Sequence, residues 1–297
     1  MNHIDTRTAE VAAGASTATT PSRGGVSALP SRSVLFWSGA ISLLVLVASV
    51  AGLADPQVYG RETENWATQA RGQDLGNLLA VAVLVVAAIR YRHGSERAGL
   101  VWLGALLYLV YAFIVYAVAV HLGDLFLLYV AVLGLSAWCV IFNVTALRRA
   151  RANRHRQGRS RIVAACVLVA TGLMFAGLWL GELVPALVTD QVPPSLTEAG
   201  LVVNPIHVID LSMVLPGFII SGIAALQGRD HGLFWLAPWL VFSVLMGFSI
   251  VAAMGLMLVA GSTQALAAAV LVSMLVTVSL LALVGYLKHP PTAEQRW

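Results

Sequence analysis

The chain of 297 residues is 59% hydrophobic and only 11% charged, with a net charge of +4 and a mean hydropathy of +0.83. A water-soluble domain keeps about a quarter of its residues charged to cover its surface. These values therefore exclude an ordinary soluble fold and point to helices solvated by lipid, each needing about 20 apolar residues to cross. The two cysteines, Cys139 and Cys166, fall inside apolar runs. They read as small core hydrophobes, with neither a disulfide framework nor a CxxC metal pair.

Residues 1–33 are rich in Ala, Thr, Ser, Gly and Pro without apolar periodicity and read as a disordered cytoplasmic tail. Eight apolar stretches follow, at roughly 34–54, 75–91, 98–120, 124–147, 161–186, 205–227, 233–260 and 263–287, and residues 288–297 form a short cytoplasmic end. The expectation is an all-α, polytopic membrane protein with an eight-helix transmembrane domain over 34–287. Gly52-Leu53-Ala54 has the small residues of a signal-peptide cleavage site. The long apolar core before it argues for a retained span.

The distribution of Lys and Arg gives the orientation. With the N-terminus inside, 16 of the 18 basic residues lie on inner segments, and only Arg61 and Arg71 lie outside. This is the bias of a multi-pass plasma-membrane protein with both termini in the cytoplasm. The loop from Arg148 to Arg161 holds seven arginines. Anionic lipid headgroups are its expected partner, and nucleic acid is set aside. Trp37, Trp102, Trp138, Trp179, Trp235 and Trp239 lie near span ends or within spans, where belt anchoring or packing accounts for them.

The halves 34–147 and 161–287 share features. Gly52 and Gly181 near the ends of spans one and five are each followed four residues on by proline (Pro56, Pro185), and spans two and six carry Asp74-Leu75 and Asp210-Leu211. A 4+4 repeat with an even number of spans per unit has both halves in one orientation, as in parallel-repeat transporters.

Four ionisable residues stand out at membrane depth: Asp74 opening span two, Glu182 about one turn from the outer end of span five, and His207 and Asp210 in the first turns of span six. Such groups are costly in lipid, by a few kcal/mol on insertion scales, and face an interior or a watery cavity. Asn204 and Pro205 form a helix start, and His207 and Asp210, three apart, share one face. That spacing suits two ligands on one divalent metal, or a carboxylate orienting an imidazole. Pro216 is expected to kink the helix beside that face. Each residue also has a bland reading: a first-turn acid on the helix dipole for Asp74, an interfacial snorkel for Glu182. Tyr108, Tyr111 and Tyr116 on span three, with Ser136, Asn143 and Thr145 on span four, extend a candidate polar interior, as ordinary helix–helix hydrogen bonding also would. His121 and Asp124 mark the short turn between those spans. A phosphate-binding glycine loop, paired aspartate-rich motifs, HExxH and a transmembrane haem histidine pair are all absent from the sequence.

Gly72-Gln73-Asp74-Leu75 and Asn204-Pro205-Ile206-His207-Val208-Ile209-Asp210-Leu211, ending in Leu215-Pro216, resemble segments of an uncharacterised family of bacterial multispanning integral membrane proteins. Glu182 and Pro193-Pro194-Ser195 add to the similarity, which covers about 34–287. The resemblance implies the architecture and the importance of these positions, and no activity. Three functions are compatible with the residues. In the first, Asp210, His207, Glu182 and Asp74 hold a metal or do acid–base work on a lipid-soluble or envelope substrate at an outward-opening site. The second is a small proton- or cation-coupled transporter, and the third a non-catalytic membrane subunit.

Overall fold

A computed structural model describes residues 31–151, 158–263 and 265–288. The tails and the 152–157 part of the arginine-rich loop lie outside the described residues, as do the expectations placed on them. All eight spans are present as helices long and apolar enough to cross a bilayer. They are α1 (Ser31–Ala54), α2 (Glu64–Arg92), α3 (Glu96–Ala119), α4 (Phe126–Arg151), α5 (Arg159–Val188), a sixth span built of three pieces, α9 (Asp230–Val259) and α10 (Ala265–Lys288). The sixth span consists of α7 (Pro205–Ile209), a π turn (Asp210–Val214) and α8 (Leu215–Leu226), while α6 (Pro194–Ala199) is a short surface helix before it. The protein is an all-α polytopic membrane protein.

Span two is the one element that the apolar pattern misplaces. It begins at Glu64, not near residue 75, because Thr63 caps it by accepting the Trp66 N–H. The polar run from Asn65 to Asp74 suggests a loop, yet these side chains bond within the helix and to neighbouring helices. Gln69 donates to Asn65, Gln73 to Tyr108, and the Trp66 indole to the Ala119 carbonyl at 2.7 Å. The last of these satisfies a carbonyl left free at the end of α3. Asp74 therefore sits ten residues into α2, about 15 Å along the axis, and is not a first-turn acid.

Within each half the spans pack in the same order. α1 packs on α2, α2 on α3, α3 on α4 and α4 back on α1; α5 packs on α8, α8 on α9, α9 on α10 and α10 back on α5. Between halves, α9 lies against α2 and α3. The close approach of α2 to α9 depends on Gly72 and Gly76, where a Cβ would overlap Ala253 and Ser249 respectively. Small residues four apart let membrane helices approach closely, so that dispersion and short hydrogen bonds replace the hydrophobic drive that lipid removes. α3 is the most enclosed span, and α10, α4 and α5 are the least. Their apolar faces meet lipid.

Three contacts tie the connections at one end of the bundle. Arg61 donates to the Leu122 carbonyl, Thr63 to the Glu198 carbonyl, and Glu62 accepts from the His121 backbone N–H at 2.7 Å while its Oε1 lies 3.0 Å from His121 Nδ1. This long-loop end carries residues 55–63, 120–125 and 189–204, opposite the arginine-rich connections. His121 pairs with Glu62 there, away from the buried acids.

Candidate functional site

The ionisable residues singled out in the sequence form two centres. The first is Asp74, 1% exposed. The chain after α1 turns back through a 3-10 turn (Pro56–Tyr59) whose start is capped by Asp55. This puts the Tyr59 hydroxyl 2.8 Å from Asp74 Oδ2, while Tyr116 of α3 donates to Oδ1, also at 2.8 Å. Gly52 leaves room for this, since a Cβ there would overlap Asp74 Oδ2 and stand 2.6 Å from the Tyr59 hydroxyl oxygen. Tyr59 lies outside the spans. Burial, and then the adjacent Asp74 carboxylate, push its phenol well above the ordinary value.

The network continues away from Asp74. Asn77 donates to Ser49 at 3.2 Å and accepts from Tyr108 at 3.2 Å. Tyr108 in turn accepts from Gln73 at 2.6 Å and shares a 2.7 Å hydrogen bond with Ser249 of α9. Four helices thus meet through buried polar groups at one level, and these groups pair with one another across the helix interfaces.

The second centre is on the sixth span. Asn204 Oδ1 accepts the Ile206 N–H at 2.9 Å, and Pro205 follows at the first helical position. The helix then widens into the π turn, with the Leu215 N–H reaching back to the Asp210 carbonyl. Pro216 comes next and has no N–H of its own to continue the α-ladder. The expected proline effect is a change of helix type just before the ring. His207 and Asp210 are both buried.

Their partners on α5 are also three residues apart. The Trp179 indole N–H donates to Asp210 Oδ2 at 2.9 Å, and its ring lies against the His207 ring with centroids 4.5 Å apart. One turn on, Glu182 Oε2 is 3.9 Å from His207 Nε2, too far for a hydrogen bond. His207 Nε2 is buried without a hydrogen-bond partner among the described residues. Two antiparallel helices running in opposite senses thus match Trp179 to Asp210 and Glu182 to His207 as successive rungs.

The two residues of span six open into different cavities. Among the described residues, Asp210 is the only charged one lining a cavity of about 280 Å³ between α3, α5, α8, α9 and α10, whose other walls are mainly aliphatic and aromatic, with Phe175, Phe218 and Phe242 among them. Tyr111 also lines it, and its buried hydroxyl lies beside the same carboxylate. His207 instead lines a cavity of about 490 Å³ with Asn204 and Gln191, nearer the long-loop end. A third, of about 80 Å³, touches Gln73, Tyr116 and Ser249 of the Asp74 network. It shares Gln69, Ile206, Met246, Ile250 and Met254 with the Asp210 cavity. That shared wall separates the two centres.

Glu182, His207 and Asp210 are therefore brought together around Trp179, while Asp74 belongs to the other centre. Among the described residues no three His, Cys, Asp or Glu side chains are grouped to hold a metal ion, so the four do not form one ligand set in this arrangement. Trp179 was expected only to anchor or pack, and it is instead a hydrogen-bond donor to a buried acid. Its spacing to Glu182, equal to that of His207 to Asp210, was the available signal. Tyr59, Ser49 and Ser249 had no sequence signal beyond Gly72-x-x-x-Gly76, which marks the α2–α9 contact.

Fold and site together define an eight-span integral membrane protein with ionisable side chains buried at two places among its spans. Comparison of the chain with protein-family models, with curated proteins and with solved structures finds no match.

Proposed function

We propose that the protein binds an amphipathic, lipid-soluble molecule in the Asp210 cavity, with its polar head against Asp210 and Tyr111 and its apolar body among the aromatic walls. The observation that carries this reading is a single carboxylate on the wall of an otherwise mainly apolar cavity within the spans. Pockets for such molecules are mostly apolar, with a few polar groups that fix orientation. A hydroxyl head suits the site because it can both donate to and accept from a carboxyl group, whichever protonation state that group holds. Trp179 fixes the rotamer of Asp210, and Tyr111 supplies a second polar atom. If chemistry follows binding, Asp210 is the group placed to take or give a proton at the head, with His207 and Glu182 as neighbours behind Trp179.

The orientation is part of the proposal. The 16-to-2 division of basic residues supports an orientation with the long-loop end outside and both termini in the cytoplasm, as for a plasma-membrane protein. Kinship with the bacterial multispanning proteins that its two segments resemble belongs to it as well. A cation- or proton-coupled transporter is the second reading, favoured by the common packing order of the two four-span halves. Substrate flux driven by a pH gradient in proteoliposomes would favour it over a binding protein or enzyme.

The test is the organic extract of natively purified protein, read by mass spectrometry. Wild type should retain a small amphiphile that is depleted from Asp210→Asn and from Ala268→Trp, which fills the cavity from α10. Identical extracts from all three, each monodisperse, would refute the reading.

A further inference from the structure

A separate cavity of about 640 Å³ opens at the other end of the bundle, between the α2–α3 hairpin and α10. Its position follows from the packing, because α10 rests chiefly on α9 and α5 and leaves a cleft towards the first half. Three cations from three helices line it: Arg90 in the last turn of α2, Arg97 at the start of α3, and Lys288 at the end of α10. All three are exposed, and none forms an ion pair among the described residues. The deeper walls are apolar, including Val86, Val101 and Val284. Val83, seven residues before Arg90, carries the apolar wall about 10 Å along the helix below the charge.

We propose that this cleft is a binding site for one anionic phospholipid, its phosphate held by Arg90, Arg97 and Lys288 and the upper part of an acyl chain laid in the cleft. The argument is charge complementarity at a fixed depth. The three cations stand at one end of their helices, where spans of this length bring the chain to the headgroups, and apolar residues line the cleft below them. Basic pockets between spans are the usual sites for such headgroups. Two guanidiniums offer paired N–H donors to phosphate oxygens, and the ammonium adds a point charge. Ser95 contributes as well, since its oxygen accepts the Ala98 N–H and its own O–H has no acceptor among the described residues. The bound lipid would bridge the two four-span halves, because α2 and α3 belong to one and α10 to the other. This site is independent of the Asp210 cavity.

The experiment uses the full chain in nanodiscs of equal phosphatidylglycerol and phosphatidylcholine, with retained lipid counted by native mass spectrometry. Wild type should hold phosphatidylglycerol in preference. R90Q/R97Q/K288Q should lose that preference on the order of a hundredfold, about fivefold for each of the three basic residues near a membrane surface. R92Q/R148Q/R149Q, which removes equal charge at the same end but outside the cleft, should keep it. Val101→Trp, which fills the apolar part and leaves the cations, should also lose it, and this variant decides the matter if the triple variant is not monodisperse. Equal loss in the two triple variants would reduce the effect to general surface charge and overturn the site. So would displacement of the lipid by millimolar inorganic phosphate, or full retention in Val101→Trp.

Discussion

Trp179 and Asp210 are joined by a 2.9 Å hydrogen bond from the indole N–H to Oδ2, across the interface between the fifth and sixth spans. The same indole ring covers His207. One tryptophan therefore sets the position of both polar residues of the sixth span, and the pairing can be measured.

Trp179→Phe keeps a ring against His207 but removes the donor. It should lower thermal stability by about 1 kcal/mol, within the range of interhelical hydrogen bonds in membranes. In a double-mutant cycle with Asp210→Ala, which removes the acceptor oxygen that Asn would keep, a coupling of about the same size is expected. Additive single effects would show that the hydrogen bond contributes nothing.

The paired glycines should behave oppositely. Gly52→Ala drives a methyl into Asp74 and Tyr59 and should destabilise by about 1–3 kcal/mol. Gly181→Ala meets open space on α5 and should be neutral or stabilising by up to about 1 kcal/mol through helix propensity. Melting of the purified variants in one detergent checks both signs at once.

Tyr59 adds a slope at alkaline pH. Its folded-state pKa is raised by burial and by Asp74, so its contribution is whole below the unfolded value of about 10 and is lost as pH rises above it. The loss tends to about 1.4 kcal/mol per pH unit for one group. Stability measured from pH 9 to 11.5 should fall less steeply in Tyr59→Phe than in wild type. Parallel curves would mean that the phenol titrates alike in both states.

Cysteines introduced at Glu64 and Thr197 in a background lacking Cys139 and Cys166 should react with an impermeant thiol reagent on intact cells. One at Asn153, in the arginine-rich loop, should react only after permeabilisation. The reverse pattern would invert the orientation drawn from the basic residues.

The number of spans was legible because lipid demands long apolar helices, and composition records that demand directly. The helix start at Asn204-Pro205 and the shared face of His207 and Asp210 were legible too, since capping and helical spacing are local. The start of α2 was hidden because its first turns are polar, and polar residues that bond to neighbouring helices look like loop residues in a single sequence. The assignment of Asp74 to Tyr59 and Tyr116 was hidden for a related reason. In lipid both faces of a span are apolar, so periodicity does not say which helix is its neighbour. The common depth of Asp74 and Asp210 in their spans suggests one shared pocket. What separates them is Gly52, which admits a tyrosine lid over Asp74, whereas Asp210 is left facing open space.

The π turn at Asp210–Val214 gives the sixth span two phases. One extra residue in a single turn rotates everything after it by about 100° relative to an unbroken α-helix. His207 and Asp210 are registered to α5 in the first phase, and Phe218 and Ser221 follow in the second, where both contact Trp239 of α9. The span works as a vernier, setting its polar rungs on α5 and its later contacts with Trp239 at an offset that a uniform helix would not give. Deleting one residue from the π turn would not merely shorten it: the rungs at Trp179 and the aromatic contacts at Trp239 would fall out of step, and only one set could be kept.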